Sequence, residues 1–395
     1  MKASRILVLF VFVFLSFGFA PRDNSGLLPG EFIFGDNFET GETSFIGPVG
    51  VTPQSVVPME TITGLKKYVN VLCKFSDVST EEYGASFIQG MFANSFSFLG
   101  HYWNTISYGN ISIQASSVGW YTLPHIRSYY VPTDGSAPSF TNLTNDCLNL
   151  ADPYVNFSAF DGVNMFFNGG VNSSWGGQYY LTRDGASRNF YATWIYYYSE
   201  APVAHEMGHN FGWGHSRLRG GTSNYQNVYD VMSDPFSNYN RAGNTYHDWP
   251  QGTISYNLDK AGWLLANKKV TLGQNTSASY CLESLLGTPV SGYYKQIIIP
   301  VVGSSDYYFV ELRDNSSYDY KLLYPGIGVY RVTISSSFVE LMSNNPDFSN
   351  HPNAVLTAGE SMFDRVDKVE VKATSNNCVT VSNKAYRAFI QMLIK

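Results

Sequence analysis

The rhythm of hydrophobic positions changes twice along the chain. From Pro21 to about Thr63, Gly, Pro, Thr and acidic residues with scattered Phe sustain neither a helical nor a strand period, which reads as a linker or propeptide. At Lys66 the pattern sharpens. Tyr68-Val69-Asn70-Val71-Leu72-Cys73 is an apolar run of core-strand length, closed by the loop Ser76-Asp77-Val78-Ser79. Apolar positions at helical spacing between Phe87 and Trp103 predict a helix, and Ser107-Tyr108-Gly109-Asn110 turns the chain into an alternating strand from Ile111 to Trp120. A further buried strand is expected at Val163-Asn164-Met165-Phe166-Phe167, followed by a Gly-rich bend and an aromatic stretch from Asn189 to Tyr198. After Leu265 short β-branched and aromatic runs, Gln296 to Val302, Tyr307 to Leu312 and Gly328 to Val332, alternate with Gly, Pro, Asn and Ser turns. The expectation is an α+β protein with a mixed sheet-and-helix unit over 64–267 and a mostly-β unit over 268–395. Internal repeats and low-complexity tracts are absent.

The first twenty residues break this pattern. Lys2 and Arg5 precede an apolar run from Ile6 to Phe17 and the small residues Gly18 and Ala20, the layout of a secretory signal peptide cleaved near Gly18 or Ala20. The run is shorter than the ~20 residues a membrane span needs, so a secreted, extracellular chain without a membrane span is expected. Four cysteines fit an oxidising compartment and allow three pairings. If bridges stay within units, Cys73 pairs with Cys147 and Cys281 with Cys378. Sequons at Asn110, Asn142, Asn156, Asn172, Asn275 and Asn315 suit a glycoprotein, although chance alone supplies about five. With 395 residues, 44% of them hydrophobic, the chain can bury a substantial core. A net charge of -6 without any basic run argues against nucleic acid as a partner; the oligomeric state is not encoded legibly.

The chemistry concentrates in His205-Glu206-Met207-Gly208-His209-Asn210-Phe211-Gly212-Trp213-Gly214-His215. Ser199 is a candidate N-cap and Pro202 falls in the first turn, where a missing N–H costs little. On such a helix His205 and His209 lie one turn apart on one face, so both imidazoles can reach a single zinc ion at about 2.0–2.1 Å. Gly212 can take the positive φ that ends the helix, letting His215 return as a third ligand. A fourth position is left for water, which zinc acidifies and from which Glu206 can take a proton as general base before protonating the leaving amine. Chance assembly of the five fixed positions has a probability on the order of 10⁻⁵.

These residues match the metzincin pattern His-Glu-x-x-His-x-x-Gly-x-x-His, with a Met-turn at Tyr229-Asp230-Val231-Met232-Ser233-Asp234. The sequence resembles the gametolysin family of metzincins over roughly residues 66–380. The likeness takes in Val71 to Asp77, Ser107-Tyr108-Gly109, Val118 to Pro124, Lys260-Ala261-Gly262-Trp263-Leu264, Tyr308 to Arg313 and Pro325 to Tyr330. The resemblance implies a catalytic domain with a twisted mixed sheet, helices and a zinc cleft, then a β-rich module. It implies zinc on His205, His209 and His215, catalysis by Glu206, Met232 as a structural base beneath the imidazoles, and protein or glycoprotein substrates. Asp234 stands where astacins and serralysins carry a zinc-binding Tyr, so no tyrosine switch is expected. Residues 21–72 lack cysteine, which excludes a cysteine switch. Asp36, in Phe34-Gly35-Asp36, resembles the aspartate of astacin prodomains, or is a loop residue.

Other residues carry less. His247 sits just past the Met-turn, and His101, His125 and His351 have no partner pattern. Asp152, Asn156 and Asp161 could offer oxygens to calcium but fit no EF-hand spacing. The competing functional class is a catalytically silent secreted zinc-fold protein acting in adhesion or in cell-wall or matrix binding. An acid at Glu206 argues against it.

Overall fold

The computed structural model describes residues 61–384, except 135–137, 222, 234–242, 245–246, 323 and 343–353, together with 35–36 and 43–44. The signal segment, most of 21–63, Asp234 and His351 lie outside the described residues; for Asp36 and His247 only the backbone is described. Two short strands, β1 (Gly35–Asp36) and β2 (Thr43–Ser44), pair antiparallel.

The expected strand at Tyr68 to Cys73 is the inner part of β3 (Gly64–Lys74). The single helix expected from Phe87 to Trp103 is instead two, α1 (Ala85–Gly90) and α2 (Leu99–Ile106). Both halves have helical spacing, but the chain doubles back between them. Ser97 takes φ 84° and the Leu99 amide bonds the Met91 carbonyl at 2.9 Å. Then come β4 (Ile111–Thr122), α3 (Arg127–Tyr130), α4 (Phe140–Ala151), β5 (Gly162–Phe167), β6 (Trp175–Arg183), β7 (Ala186–Ile195) and α5 (Glu200–Asn210). The Gly-rich bend expected after Phe167 is present at Asn168 and Gly169, while β6, which was not foreseen, takes in Gly176 and Gly177. Its hairpin to β7 turns on Asp184 and Gly185, both at positive φ (48° and 74°), as a two-residue Asp-Gly turn requires.

These strands form a sheet in the order β4-β3-β5-β7-β6, parallel except for the edge strand β6. Alternation along β3 sends Tyr68 and Leu72 into a core with Trp103, Met207 and Trp213, and Val69 and Val71 into a second core with Leu143 and Leu148 of α4. The sheet is thus covered on both faces, as parallel strands require. Its register is marked by a buried polar row. Asn70 donates to Ser117 (3.0 Å), Asn164 to Asn70 (2.8 Å) and Thr193 to Asn164 (2.8 Å), each pair directly opposed on neighbouring strands.

After α5 come β8 (Ser216–Leu218), β9 (Gly243–Asn244), β10 (His247–Asp248) and α6 (Ser255–Lys260). The remainder is β: β11 (Lys269–Thr271), β12 (Ser277–Cys281), β13 (Gln296–Pro300), β14 (Tyr307–Arg313), β15 (Gly326–Thr333), β16 (Phe338–Leu341), β17 (Ser361–Asp364), β18 (Val369–Ala373) and β19 (Cys378–Ser382). They build a six-stranded sheet, β11-β13-β14-β15-β16-β8, and a four-stranded one, β12-β19-β18-β17. Ile297, Tyr308 and Val329 of the first meet Val371, Val379 and Val381 of the second in one core. On the opposite face Phe309, Tyr330 and Leu341 pack with Leu218, Tyr229 and Ile254. The six-stranded sheet therefore takes one strand, β8, from before residue 267. The fold is α+β with several mixed sheets. Disulfides join Cys73 to Cys147 and Cys281 to Cys378, the pairing that keeps each bridge within a unit. No helix among the described residues is long and apolar enough to cross a membrane.

Candidate metal centre

Every residue of α5 is buried, an unusual state for a helix carrying Glu206, His205, His209 and Asn210. Its placement rests on close contact with the sheet. A Cβ on Gly176 of β6 would lie 2.0 Å from the Glu206 carbonyl oxygen, so only glycine lets the strand pass this near the helix backbone. Asn210, at the end of α5, ties the two further. Its Oδ1 accepts from the Gly177 amide (3.1 Å), its carbonyl accepts from the Gln178 side chain (3.1 Å), and its Nδ2 donates to the Tyr68 hydroxyl (3.3 Å). Ser199 does occupy the N-cap position, but its hydroxyl bonds the Asp248 backbone instead of the helix amides.

The end of α5 is a Schellman turn. Gly212 adopts φ 76°, its amide bonds the His209 carbonyl (3.0 Å), and the Trp213 amide reaches the Gly208 carbonyl (3.2 Å). This reversal brings His215 back beside the helix. Ring centroids are 5.0 Å apart for His205 and His209, 5.2 Å for His205 and His215, and 5.0 Å for His209 and His215, a near-equilateral triangle. Their ligand atoms all lie within 4.8 Å of one another, so the three can hold a metal ion. Backbone carbonyls fix two of the tautomers. His205 Nδ1 meets the Val231 carbonyl at 2.7 Å and His209 Nδ1 meets that of Trp213 at 2.9 Å. A carbonyl only accepts, so Nδ1 carries the proton in both rings and Nε2 presents its lone pair.

The Met-turn lies against this arrangement. Met232 is fully buried, and a Cβ on Gly208 would sit 2.2 Å from its sulfur, which places the thioether directly on α5. Asp230 shapes the turn: its carboxylate accepts from the Met232 amide (3.1 Å), Thr253 (2.8 Å) and Ser216, the residue after His215 (2.6 Å). Burial pushes the Asp230 carboxyl up, and these hydrogen bonds oppose the shift. Tyr225 lines the same site, its ring 5.3 Å from that of His215 and 6.3 Å from that of His205.

Of the residues singled out from sequence, His205, His209 and His215 come together, Met232 packs on α5 and Glu206 is buried on that helix. Gly176, Asn210 and Tyr225 were not foreseen. Gly176 and Asn210 act through a strand distant in sequence, and Tyr225 stands in a loop with no distinguishing pattern. The remaining candidates lie elsewhere. His101 bonds the Tyr318 hydroxyl at 2.8 Å, and His125 stacks on Tyr129. Asp161 accepts from the Lys67 amide and Asn156 from that of Ser158. Among the described residues the histidine trio is the one His/Cys/Asp/Glu group with metal-binding spacing. No model of a known protein family matches the chain, and no curated protein matches its sequence.

Proposed function

We propose that this chain is a secreted zinc-dependent endopeptidase of the metzincin type, near the gametolysin family, that hydrolyses peptide bonds of extracellular proteins or glycoproteins. The observation that carries the reading is the spacing of the imidazole nitrogens. Donors at about 2.0–2.1 Å around a tetrahedral zinc ion stand about 3.3 Å apart, and His205 Nε2 and His215 Nε2 are 3.2 Å apart. Imidazole donors suit zinc, and three protein ligands are the number found in catalytic sites, where a closed structural site has four. A bound zinc ion supplies Lewis acidity that makes water nucleophilic at neutral pH. Glu206, buried on the same helix beside His205, takes the proton of the attacking water and returns it to the leaving amine. His205 and His209, locked by the Val231 and Trp213 carbonyls, keep their Nε2 atoms directed at one point. Met232 holds the helix from beneath. The two disulfides and the exposed sequon residues Asn142, Asn156, Asn275 and Asn315 support an extracellular glycoprotein.

The test is cleavage of casein or gelatin by the purified, processed protein, with and without a chelator, beside Glu206→Gln. The variant is expected to retain stoichiometric zinc and to lose about 10²–10⁴-fold in kcat/KM. A processed parent that holds zinc yet cleaves neither protein would favour the silent adhesion or wall-binding class instead.

A further inference from the structure

We propose that the C-terminal six-stranded sheet is a working part of the metal centre, with Arg313 as the positioning residue that sets its ligands, and not an appended module. The inference rests on the reading that His205, His209 and His215 bind zinc.

Two connections lead from the sheet to the ligands. The first is covalent. The residue after His215 is already in β8, whose Ser216, Arg217 and Leu218 pair in parallel with Val339, Glu340 and Leu341 of β16. The last ligand is therefore held between the Schellman turn of α5 and the edge of a sheet built mostly from residues beyond 268.

The second is a hydrogen-bonded path that starts at Arg313, the last residue of β14, whose side chain is 0% exposed. The guanidinium grips Asp319 with two parallel bonds, Nε to Oδ2 and Nη2 to Oδ1, both 2.8 Å, and Nη1 donates to the carbonyl of Tyr229 at the start of the Met-turn. Asp319 Oδ1 also accepts from the Gly252 amide (3.0 Å), the Gly252 carbonyl accepts from the Val231 amide (3.0 Å), and the Val231 carbonyl accepts from His205 Nδ1 (2.7 Å). Asp230, between Tyr229 and Val231, completes the other branch through Ser216. Arg313 thus pins the Met-turn from both sides, by Tyr229 directly and by Gly252 through Asp319. One branch ends on the ring of His205 and the other beside His215. A buried guanidinium is costly unless its whole fork is engaged. Here one arm is spent on the backbone that orients a ligand, the arrangement by which outer contacts tune a metal site.

The experiment measures zinc affinity by chelator competition and the visible spectrum of the cobalt-substituted full chain. The variants are Arg313→Lys, which cannot form the fork, Asp319→Asn and Ser216→Ala. Arg331→Gln, which breaks the Asp306 and Asp367 ion pairs elsewhere in the same sheet, is the control for general damage. The Arg313 and Asp319 variants are expected to bind zinc 10–100-fold more weakly with an altered cobalt spectrum, and Ser216→Ala about tenfold more weakly; the control should match the parent. Parent-like affinity and spectrum in Arg313→Lys and Asp319→Asn would overturn the proposal, as would an equal loss in Arg331→Gln. Ser216→Ala leaves the charge pair intact, so parent-like binding there overturns it even where the Arg313 variants fail to fold. The readout is affinity, not cleavage. A parent that binds zinc without hydrolysing protein removes only the peptidase reading, whereas parent-like affinity in the variants removes only this one.

Discussion

Replacing Gly176 with alanine asks how much of the metal site depends on one close approach between β6 and α5. The added methyl would lie 2.0 Å from the Glu206 carbonyl oxygen, 2.6 Å from its carbon and 2.8 Å from the Glu206 Cα. Ordinary contact begins at 3.4 Å, so strand and helix must part by about 1.4 Å. The obstacle is backbone, which cannot swing aside as a flexible side chain does. Gly176 has no positive φ, so backbone strain adds nothing and the effect is purely steric. Overpacking of this kind costs about 1–3 kcal/mol. The consequence for the site is larger, since metal–ligand distances tolerate only about 0.2 Å and a misplacement of about 1 Å can cost 10²-fold in rate. Gly176→Ala should therefore lower the unfolding free energy by about 1–3 kcal/mol in urea titrations, weaken zinc binding at least tenfold in chelator competition and reduce kcat/KM about 10²-fold. Gly84→Ala is the control, since Gly84 has φ -82° and nothing within 4 Å of the added methyl. Gly176→Ala protein that unfolds and binds zinc like the parent would refute the reasoning.

Three further outcomes are expected. Gly212→Ala forces a left-handed residue at φ 76° and should cost about 1–2 kcal/mol in the urea unfolding of the zinc-free protein; an unchanged midpoint would contradict the Schellman assignment. Burial pushes the Glu311 carboxyl up to about 7 from its ordinary 4.5, against the attraction of Arg313, so between those pH values the folded chain keeps a proton that the unfolded chain has lost. Stability should fall as pH rises through that window, with Asp230 and Asp319, also raised by burial, acting in the same sense. Glu311→Gln should flatten the slope, and an equally steep decline in that variant would show that another group titrates. Removing the Cys281–Cys378 bridge, which spans 97 positions, should cost about 4–5 kcal/mol in calorimetric unfolding on the chain-entropy account; an unchanged Tm would count against it.

Much of the candidate site was legible because it is local. His205, Glu206 and His209 need only one helical turn, and Gly212 and His215 only the reversal that follows. Such distances are set by backbone geometry that every helix shares. The apolar runs of β3, β5, β13, β14 and β15 were readable for a similar reason, since each carries its own side chains into a core. The elements that went unread depend on their neighbours. β6 hides behind Gly176 and Gly177, residues poor in strand propensity, of which Gly176 is there to admit α5, although the Asp184-Gly185 turn was an available hairpin signal. The Phe87 to Trp103 helix splits at Ser97, held at φ 84°, although Ile88 of one half and Leu99 and Trp103 of the other enter the same core, a break that spacing alone does not encode.

The amino-acid sequence by itself determined the chemistry: which side chains can meet on a metal, which acid stands beside them, and where the helix that carries them must stop. Tertiary structure alone decided what holds that chemistry in place. The Val231 carbonyl on His205, the Asp230 carboxylate beside His215 and the Arg313 fork behind both come from segments up to about a hundred residues away. The physical reason is that ligand spacing follows from the periodicity of one helix, whereas the orientation of each ring follows from hydrogen bonds whose partners are chosen only when the sheets have packed.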